Sequence, residues 1–239
     1  TTARPSPRKP DPMRLDLMAF AAHRDDIEIT CGGTLIRMAE KGYAVGACDL
    51  TQGEMGTLGS AAERRAEAEE AARIMGLAVR VNCELPDAGV FNVREYQTRV
   101  MEVLRRYRPR TVLLPGFEQR HPDHRVTPQL VFDACFFSGL RKFGSGEPHR
   151  PHKILYCHNA TYEDRRPTFV VDVTAQMDKK VAAVLAYRSQ FPEPERMAEW
   201  LRARARTYGM LVGCTYGEGF VQREVMQVDD VVALPVASM

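Results

Sequence analysis

Two short segments of the chain combine histidine with aspartate at spacings that suit a metal ion. The first reads AHRDDIEITCGGT over residues 22–34, and the second reads RHPDH over residues 120–124. Imidazole nitrogens and carboxylate oxygens bind Zn²⁺ and similar cations, and two histidines with one carboxylate leave coordination positions open for water and substrate. A carboxylate that is not needed as a ligand can act as a general base. The pattern therefore predicts metal-assisted hydrolysis.

Each segment also has a simpler interpretation. Asp25 or Asp26 would cap the next helix, because acidic side chains are favoured at helix N-termini. A cap explains one aspartate but not the histidine beside it. The second segment would be a polar loop with hydrogen-bonded imidazoles. Gly32 and Gly33 weaken a helix, which indicates that another group comes close to the backbone there.

Strand-like and helix-like segments alternate along the chain, which predicts a Rossmann-like α/β fold: a mostly parallel sheet flanked by helices on both faces. Ligands bind such sheets at the carboxyl ends of the strands, and both His–Asp segments come directly after strands. We therefore expect the two segments to lie at the same edge. The predicted strands are 15–22, 43–50, 78–83, 111–114, 154–157 and 169–173, the predicted helices are 33–41, 61–75, 94–107, 127–137, 175–191 and 195–208, and the edge loops are 22–33, 51–60, 86–93 and 115–126.

The composition excludes several classes of protein. With 239 residues, 44% of them hydrophobic, the chain fits one domain, expected over 13–239, and the proline-rich residues 1–12 are expected to be a disordered extension or a cloning remnant. The net charge of +2 gives no support to nucleic-acid binding, and no apolar run of about 18 residues predicts a membrane span. Six widely spaced cysteines without a CxxC pair favour a reduced, cytoplasmic protein.

The two segments resemble the signatures of a known family. AHRDDIEITCGGT is similar to the AHPDDxExxxGGT signature of the PIG-L/LmbE zinc-dependent N-acetylglucosaminyl deacetylases, and RHPDH is similar to their second signature. The stretches PDAGVFN, FFSGLRK, AYRSQF and YGEGF most resemble the bacillithiol-biosynthesis branch, which deacetylates N-acetylglucosaminyl malate. The chain departs from the family at Arg24, where the signature has proline, and in the shortened stretch 191–200.

The resemblance implies a role for each residue of the two segments. Zn²⁺, or another divalent metal, would be held by His23, Asp26 and His124. Asp25 would be the general base that activates the attacking water. His121 would stabilise the oxyanion and help protonate the leaving amine, and Asp123 would orient a histidine ligand.

Substrate contacts are implied for three residues. Arg120 precedes the second signature and would bind the malate carboxylate, because a guanidinium binds carboxylates through two hydrogen bonds. Arg64 and Glu54 would line the sugar pocket. The simpler interpretation is that Arg120 is a surface arginine and that Arg64 lies on a solvated helix face.

The resemblance therefore implies a zinc-dependent N-deacetylase that acts on a small anionic sugar conjugate, with N-acetylglucosaminyl malate as the expected substrate. The mycothiol precursor and chitobiose are the alternatives within this class. A non-catalytic sugar-binding protein of the same fold is a further alternative. A dinucleotide-binding enzyme is disfavoured because no GxGxxG comes after the first strand. Neither nucleic acid nor membrane is expected as a partner, and the family suggests a homo-oligomer, a hexamer by resemblance.

Overall fold

The computed structural model describes residues 14–233, and the predicted extension at residues 1–12 lies outside this range. Seven strands and six α-helices succeed one another in the described residues. The strands are β1 (Leu17–Ala21), β2 (Val45–Thr51), β3 (Val79–Leu85), β4 (Thr111–Pro115), β5 (Lys153–Cys157), β6 (Phe169–Asp172) and β7 (Gly217–Val221). The helices are α1 (Asp26–Glu40), α2 (Ala61–Met75), α3 (Arg94–Tyr107), α4 (Pro122–Ser138), α5 (Met177–Leu185) and α6 (Pro194–Met210).

The strands form one mixed sheet in the order β3-β2-β1-β4-β5-β7-β6. Strands β1 to β5 are parallel to their neighbours, whereas β7 runs antiparallel between β5 and β6. The predicted mostly parallel α/β fold is confirmed. Strand β7 was not predicted, because its sequence GEGFV has two glycines where strand residues would show an apolar alternation.

Helices cover both faces of the sheet, as the central strand β1 shows. Met18 and Phe20 pack with Leu104 of α3 in one apolar cluster. Leu17, on the opposite face of the strand, packs with Leu35 of α1 in another. Successive strand residues point to opposite faces, so the all-apolar sequence LMAFA supplies both layers.

Helix α4 begins five residues before its predicted start at Thr127. Pro122 occupies the first turn, where a missing N–H costs nothing, and the His121 imidazole accepts a hydrogen bond from the Asp123 backbone N–H. Pro128, predicted in the first turn, lies inside the helix. As a result Asp123 and His124 lie on a helix rather than on the predicted loop.

Helix α1 also begins earlier than predicted, at Asp26, and its backbone leaves helical geometry at Cys31 (φ −137°, ψ 15°). Helix α5 ends at Leu185, six residues before its predicted end. The turns after it allow Ser189 to bond the carboxylate of Glu67 on α2. None of the helices in the described residues has the length and apolarity that crossing a membrane would require.

Candidate active site

The three predicted metal ligands meet at the carboxyl edge of the sheet with their donor atoms facing one another. His23 Nδ1 lies 2.9 Å from His124 Nε2 and 3.4 Å from Asp26 Oδ2. His124 Nε2 lies 3.1 Å from Asp26 Oδ2. Tetrahedral coordination with bonds of about 2.0–2.1 Å places donor atoms about 3.3 Å apart. The spacing of this donor set therefore fits Zn²⁺ or a divalent cation of similar size.

The position of each ligand is a consequence of the fold. His23 comes two residues after β1, and Asp26 is the first residue of α1. His124 is in the first turn of α4, which comes after β4, and β4 is paired in parallel with β1. The side chains of Asp26 and His124 are 18% and 25% exposed, so this side of the donor set is open to substrate.

Two carboxylates lie behind His23, on the side away from the other ligands. Asp87 Oδ1 lies 3.0 Å from His23 Nε2, and Asp123 Oδ2 lies 3.7 Å from the same atom. A carboxylate on the second imidazole nitrogen fixes the tautomer and orientation of a histidine ligand. Asp87, which sequence analysis did not identify, thus lies nearer to His23 Nε2 than Asp123 does, and the orienting role of Asp123 stays a prediction. The signal for Asp87 was its place in the predicted edge loop 86–93.

Asp123 also holds the loop that carries Asp87. Its Oδ2 accepts a hydrogen bond from the Ala88 N–H at 2.9 Å, and its Oδ1 accepts one from the Val90 N–H at 3.3 Å. The Asp87 carboxylate in turn accepts the Met55 N–H at 2.8 Å. The loops after β2 and β3 and the start of α4 are therefore joined behind His23.

The charges of this cluster shift its pKa values in opposite directions. Burial opposes protonation of His23, but the hydrogen bond and charge of Asp26, together with the charges of Asp87 and Asp25, raise its pKa to about 9. Burial likewise opposes ionisation of Asp26, but His124 and His23 hold the pKa of Asp26 well below its ordinary value. The cluster therefore holds a carboxylate and protonated imidazole, whose proton a cation would displace.

Asp25 lies beside the ligand set and next to a buried arginine. Burial and the neighbouring Asp26 carboxylate raise the pKa of Asp25, and Arg64 partly offsets this effect. Arg64 Nη2 is 3.7 Å from Asp25 Oδ1, and Arg64 Nη1 donates to the Gly53 carbonyl at 2.9 Å. A side chain at Gly53 (φ +71°) would occupy the position of the Arg64 guanidinium. An aspartate with a raised pKa suits general-base catalysis near neutral pH.

His121 faces the site from the start of α4. Its ring centroid is 4.8 Å from that of His23. Burial, together with the charges of His23 and His124, lowers its pKa. Because Nδ1 accepts the Asp123 N–H at 3.2 Å, the neutral imidazole carries its proton on Nε2. The neutral His121 imidazole thus offers an N–H donor rather than a positive charge.

The predicted substrate contacts differ in their surroundings. Arg120 is exposed, and its backbone carbonyl is held by Arg125 Nη1 at 3.1 Å. Glu54 is exposed, and its Oε1 accepts the Asp87 N–H at 2.8 Å. Arg64 is 5% exposed and contacts Asp25 and Gly53 as described. Their roles toward substrate stay predictions.

The bend in α1 has its own buried support. The Glu218 carboxylate of β7 accepts the Gly33 N–H at 2.9 Å and the Thr34 N–H at 2.7 Å, and the Lys180 ammonium bonds Glu218 at 2.5 Å. A Cβ at Gly33 would lie 2.9 Å from the Cβ of Val173. The close approach that sequence analysis expected at the glycine pair is therefore present at Gly33.

A second buried network holds the backbone of the first segment. The Arg80 guanidinium bonds the carboxylates of Glu28 and Asp49 and the carbonyl of Arg24. The Tyr187 hydroxyl donates to the same carbonyl, and its oxygen lies 3.0 Å from Glu28 Oε1. Burial raises the pKa of Glu28 to about 7, with the charge of Arg80 opposing the shift. These hydrogen bonds hold the backbone carbonyl of Arg24, which lies between His23 and Asp25 in the chain.

Comparisons with known proteins show which family the chain resembles. The PIG-L family (GlcNAc-PI de-N-acetylase) matches residues 18–135. The chain is 30% identical to the diacetylchitobiose deacetylase of Thermococcus kodakarensis, over 85% of this chain and 81% of that protein. It is 27% identical to the 4-oxalmesaconate hydratase of Pseudomonas putida, over 88% of this chain and 87% of that one. The crystal structure of the conserved protein TT1542 from Thermus thermophilus superposes with a TM-score of 0.84 at 42% identity, over 90% of this chain and 97% of that one.

Proposed function

Because the chain belongs to the PIG-L family of de-N-acetylases, we propose that it hydrolyses the N-acetyl group of a small N-acetylglucosamine conjugate with a divalent cation, Zn²⁺ first, held by His23, Asp26 and His124. The observation that carries this proposal is the set of three donor atoms 2.9–3.4 Å apart, with the Asp25 carboxylate next to it in the chain. When bound, the cation lowers the pKa of a water molecule to about 7 and polarises the amide carbonyl.

Each side chain around the cation site has its own role in the reaction. Asp25 takes a proton from the attacking water and passes it to the amide nitrogen as the C–N bond breaks, which releases acetate and a free amine. Arg64, 3.7 Å from Asp25, orients this carboxylate. The Nε2–H of His121 donates a hydrogen bond to the oxygen that gains negative charge. Asp87 and Asp123 hold His23 in place from behind.

The exposed Arg120 supports an anionic aglycone. Its side chain makes no hydrogen bond or ion pair within residues 14–233, so its guanidinium is available to a carboxylate. We therefore propose N-acetylglucosaminyl malate as the preferred substrate. Diacetylchitobiose, the substrate named for the Thermococcus relative, is the uncharged alternative.

The catalytic assignment is tested with metal-loaded protein by following amine release. We expect Asp25→Asn to lose about 10²–10⁴-fold in turnover, as removal of a general base does, while its metal content stays that of the wild type. Asp178→Asn is the matched control, because its side chain is 93% exposed on α5. Full activity of Asp25→Asn would contradict the general-base role. The proposed reaction would be wrong if the protein added water to an unsaturated dicarboxylate and released no amine from any N-acetylglucosamine conjugate.

The aglycone is tested with Arg120→Met. If Arg120 binds the malate carboxylate, this variant raises KM for N-acetylglucosaminyl malate at least tenfold and leaves KM for diacetylchitobiose unchanged. An equal effect on both substrates would place Arg120 outside aglycone recognition. If the wild-type protein prefers diacetylchitobiose, then chitobiose and not malate is the aglycone class of its substrate.

We also propose that the protein works in the cytoplasm. All six cysteines are free thiols, and Cys48 Sγ and Cys83 Sγ lie at a hydrogen-bond distance of 3.5 Å without forming a disulfide. Neighbouring unpaired thiols are typical of proteins that work in a reducing compartment. Non-reducing mass spectrometry of protein isolated under acid quench is expected to find all six thiols reduced.

A further inference from the structure

Arg24 is a buried cation without a partner. Its side chain is 5% exposed, and Nε is fully enclosed with no hydrogen-bond acceptor in reach. Within residues 14–233 the guanidinium makes neither a hydrogen bond nor an ion pair. Buried arginines are almost always paired, because removing the charge from water is costly unless something compensates for it. The group that compensates the charge of Arg24 is therefore expected in the space next to its side chain.

That space is a cavity of about 600 Å³ at the outer edge of β3, between α2 and α3. Its lining includes Arg24, Gln52 and Arg65, the apolar Val81 and Val103, and the acidic residues Asp49, Glu69, Glu84 and Glu102. The volume lies in the range typical of pockets for small organic ligands. The three proposed metal ligands do not line it, so it is separate from the site described above.

Two of the four carboxylate residues that line the cavity, Asp49 and Glu69, are already engaged. Asp49 receives hydrogen bonds from Arg80 Nε at 2.9 Å and Nη2 at 2.8 Å. Glu69 is bonded to Arg65 Nε at 3.0 Å. The positive charge of Arg24 is consequently not neutralised by a direct contact within the described residues.

We propose that this cavity binds a small oxyanion, the carboxylate or phosphate group of a small metabolite, with Arg24 as its buried anchor. A guanidinium offers such groups two parallel N–H donors. The Gln52 amide adds a neutral donor at the cavity wall, and the apolar wall accepts the carbon skeleton. Because Arg24 is recessed, a small molecule reaches it whereas the flat surface of a protein partner does not.

Binding is tested by calorimetry and thermal unfolding with inorganic phosphate and with succinate, on metal-loaded and metal-stripped protein. We expect saturable binding and a rise in Tm in both metal states, with the tighter of the two ligands identifying the chemical source. Arg24→Met should weaken binding at least tenfold. Arg73→Met, an exposed arginine on α2 paired with Glu70, is the matched control and should change it less than twofold.

The ligand-free variants separate a binding role from a structural one. If Arg24 serves a ligand, Arg24→Met unfolds at the wild-type temperature or above it, because an unpaired buried charge has been removed. A large drop in the Tm of ligand-free Arg24→Met would mean that Arg24 serves the fold, and would overturn the proposal. So would equal binding by Arg24→Met, binding restricted to the metal-loaded state, or no binding of either anion.

Discussion

At the scale of single residues, the geometry of His23 depends on Asp87 behind it as well as on the proposed ligands in front of it. Asp87 accepts from His23 Nε2 with one carboxylate oxygen and from the Met55 N–H with the other. Its side chain is 6% exposed, so water cannot substitute for either contact. Both oxygens are used, and an amide in this position would present one donor where two acceptors are required.

We therefore expect Asp87→Asn to weaken metal binding about 10–100-fold, the usual effect of losing a group that orients a histidine ligand. Chelator competition with subsequent metal analysis measures this affinity. Glu54→Gln is the control, because Gln keeps a carbonyl oxygen for the Asp87 N–H at 2.8 Å. Unchanged metal affinity in Asp87→Asn would show that Asp123 alone orients His23.

The raised pKa of His23 predicts how the metal-free protein responds to pH. The folded-state pKa is about 9, above the value of about 6.5 in an unfolded chain. The stabilisation is therefore complete below pH 6.5 and is lost as the pH rises through 9. We expect the unfolding free energy of metal-free protein to fall by up to about 3 kcal/mol between these values. Urea unfolding at pH 6.5, 7.5 and 9 measures it, and His23→Asn should remove most of the slope.

The proximity of the two His–Asp segments could be predicted from the sequence, because parallel strands place the residues after their carboxyl ends at one edge of the sheet. The sequence was not sufficient to identify Asp87, whose contact with His23 spans 64 residues and depends on the path of the loop after β3. The burial of Arg64 against Asp25 escaped for the same reason. Spacing along the chain says which residues reach the edge, whereas packing of the loops decides which of them touch.

At the scale of elements, the bend in α1 depends on the glycine at position 33. A Cβ there would lie 2.9 Å from Val173 Cβ and 3.0 Å from Glu218 Oε1, whereas a Cβ at Gly32 has 3.6 Å to its nearest neighbour, Met75 Sδ. Overpacking of a buried contact costs about 1–3 kcal/mol. An alanine within a helix that makes only ordinary van der Waals contacts is neutral or favourable.

Gly33→Ala should therefore lower the unfolding free energy by about 1–3 kcal/mol, and Gly32→Ala should leave it unchanged or raise it. Denaturant titration of both variants gives the comparison. Equal stability of the two proteins would show that Val173 and Glu218 move aside at little cost.

The order of the elements was predicted well where helices have clear ends. Helix α2 was predicted with its observed bounds from its helical spacing and the stop at Gly76, and the structure adds a capping box of Ser60 and Glu63 at its start. Strand β7 was missed because its glycines are required by close packing and not by local strand propensity. A Cβ at Gly219 would lie 2.4 Å from Tyr208 Cε1. Close approach between elements is a tertiary requirement that local propensity does not express.

At the scale of the whole molecule, large apolar side chains remain exposed at the end of α6. Met210, Leu211 and Val212 are 74%, 43% and 53% exposed, and Trp200 on the same helix is 45% exposed. Several large apolar side chains exposed on one segment are typical of a face that associates. We expect a homo-oligomer, a hexamer by family resemblance, so light scattering after size exclusion should give six times the 26.9 kDa subunit mass. A mass of one subunit at micromolar concentration would contradict this.

The carboxylate of Glu218 closes contacts with Gly33 and Thr34 across 185 and 184 residues. A ribosome has therefore released both His–Asp segments long before it releases Glu218, which supports the bend in α1 within the first segment. Such distant contacts form late in folding because a long loop must close first. We therefore expect the proposed metal site to be completed only after synthesis has passed β7, because a chain stopped before Gly217 would carry every proposed ligand and still lack Glu218.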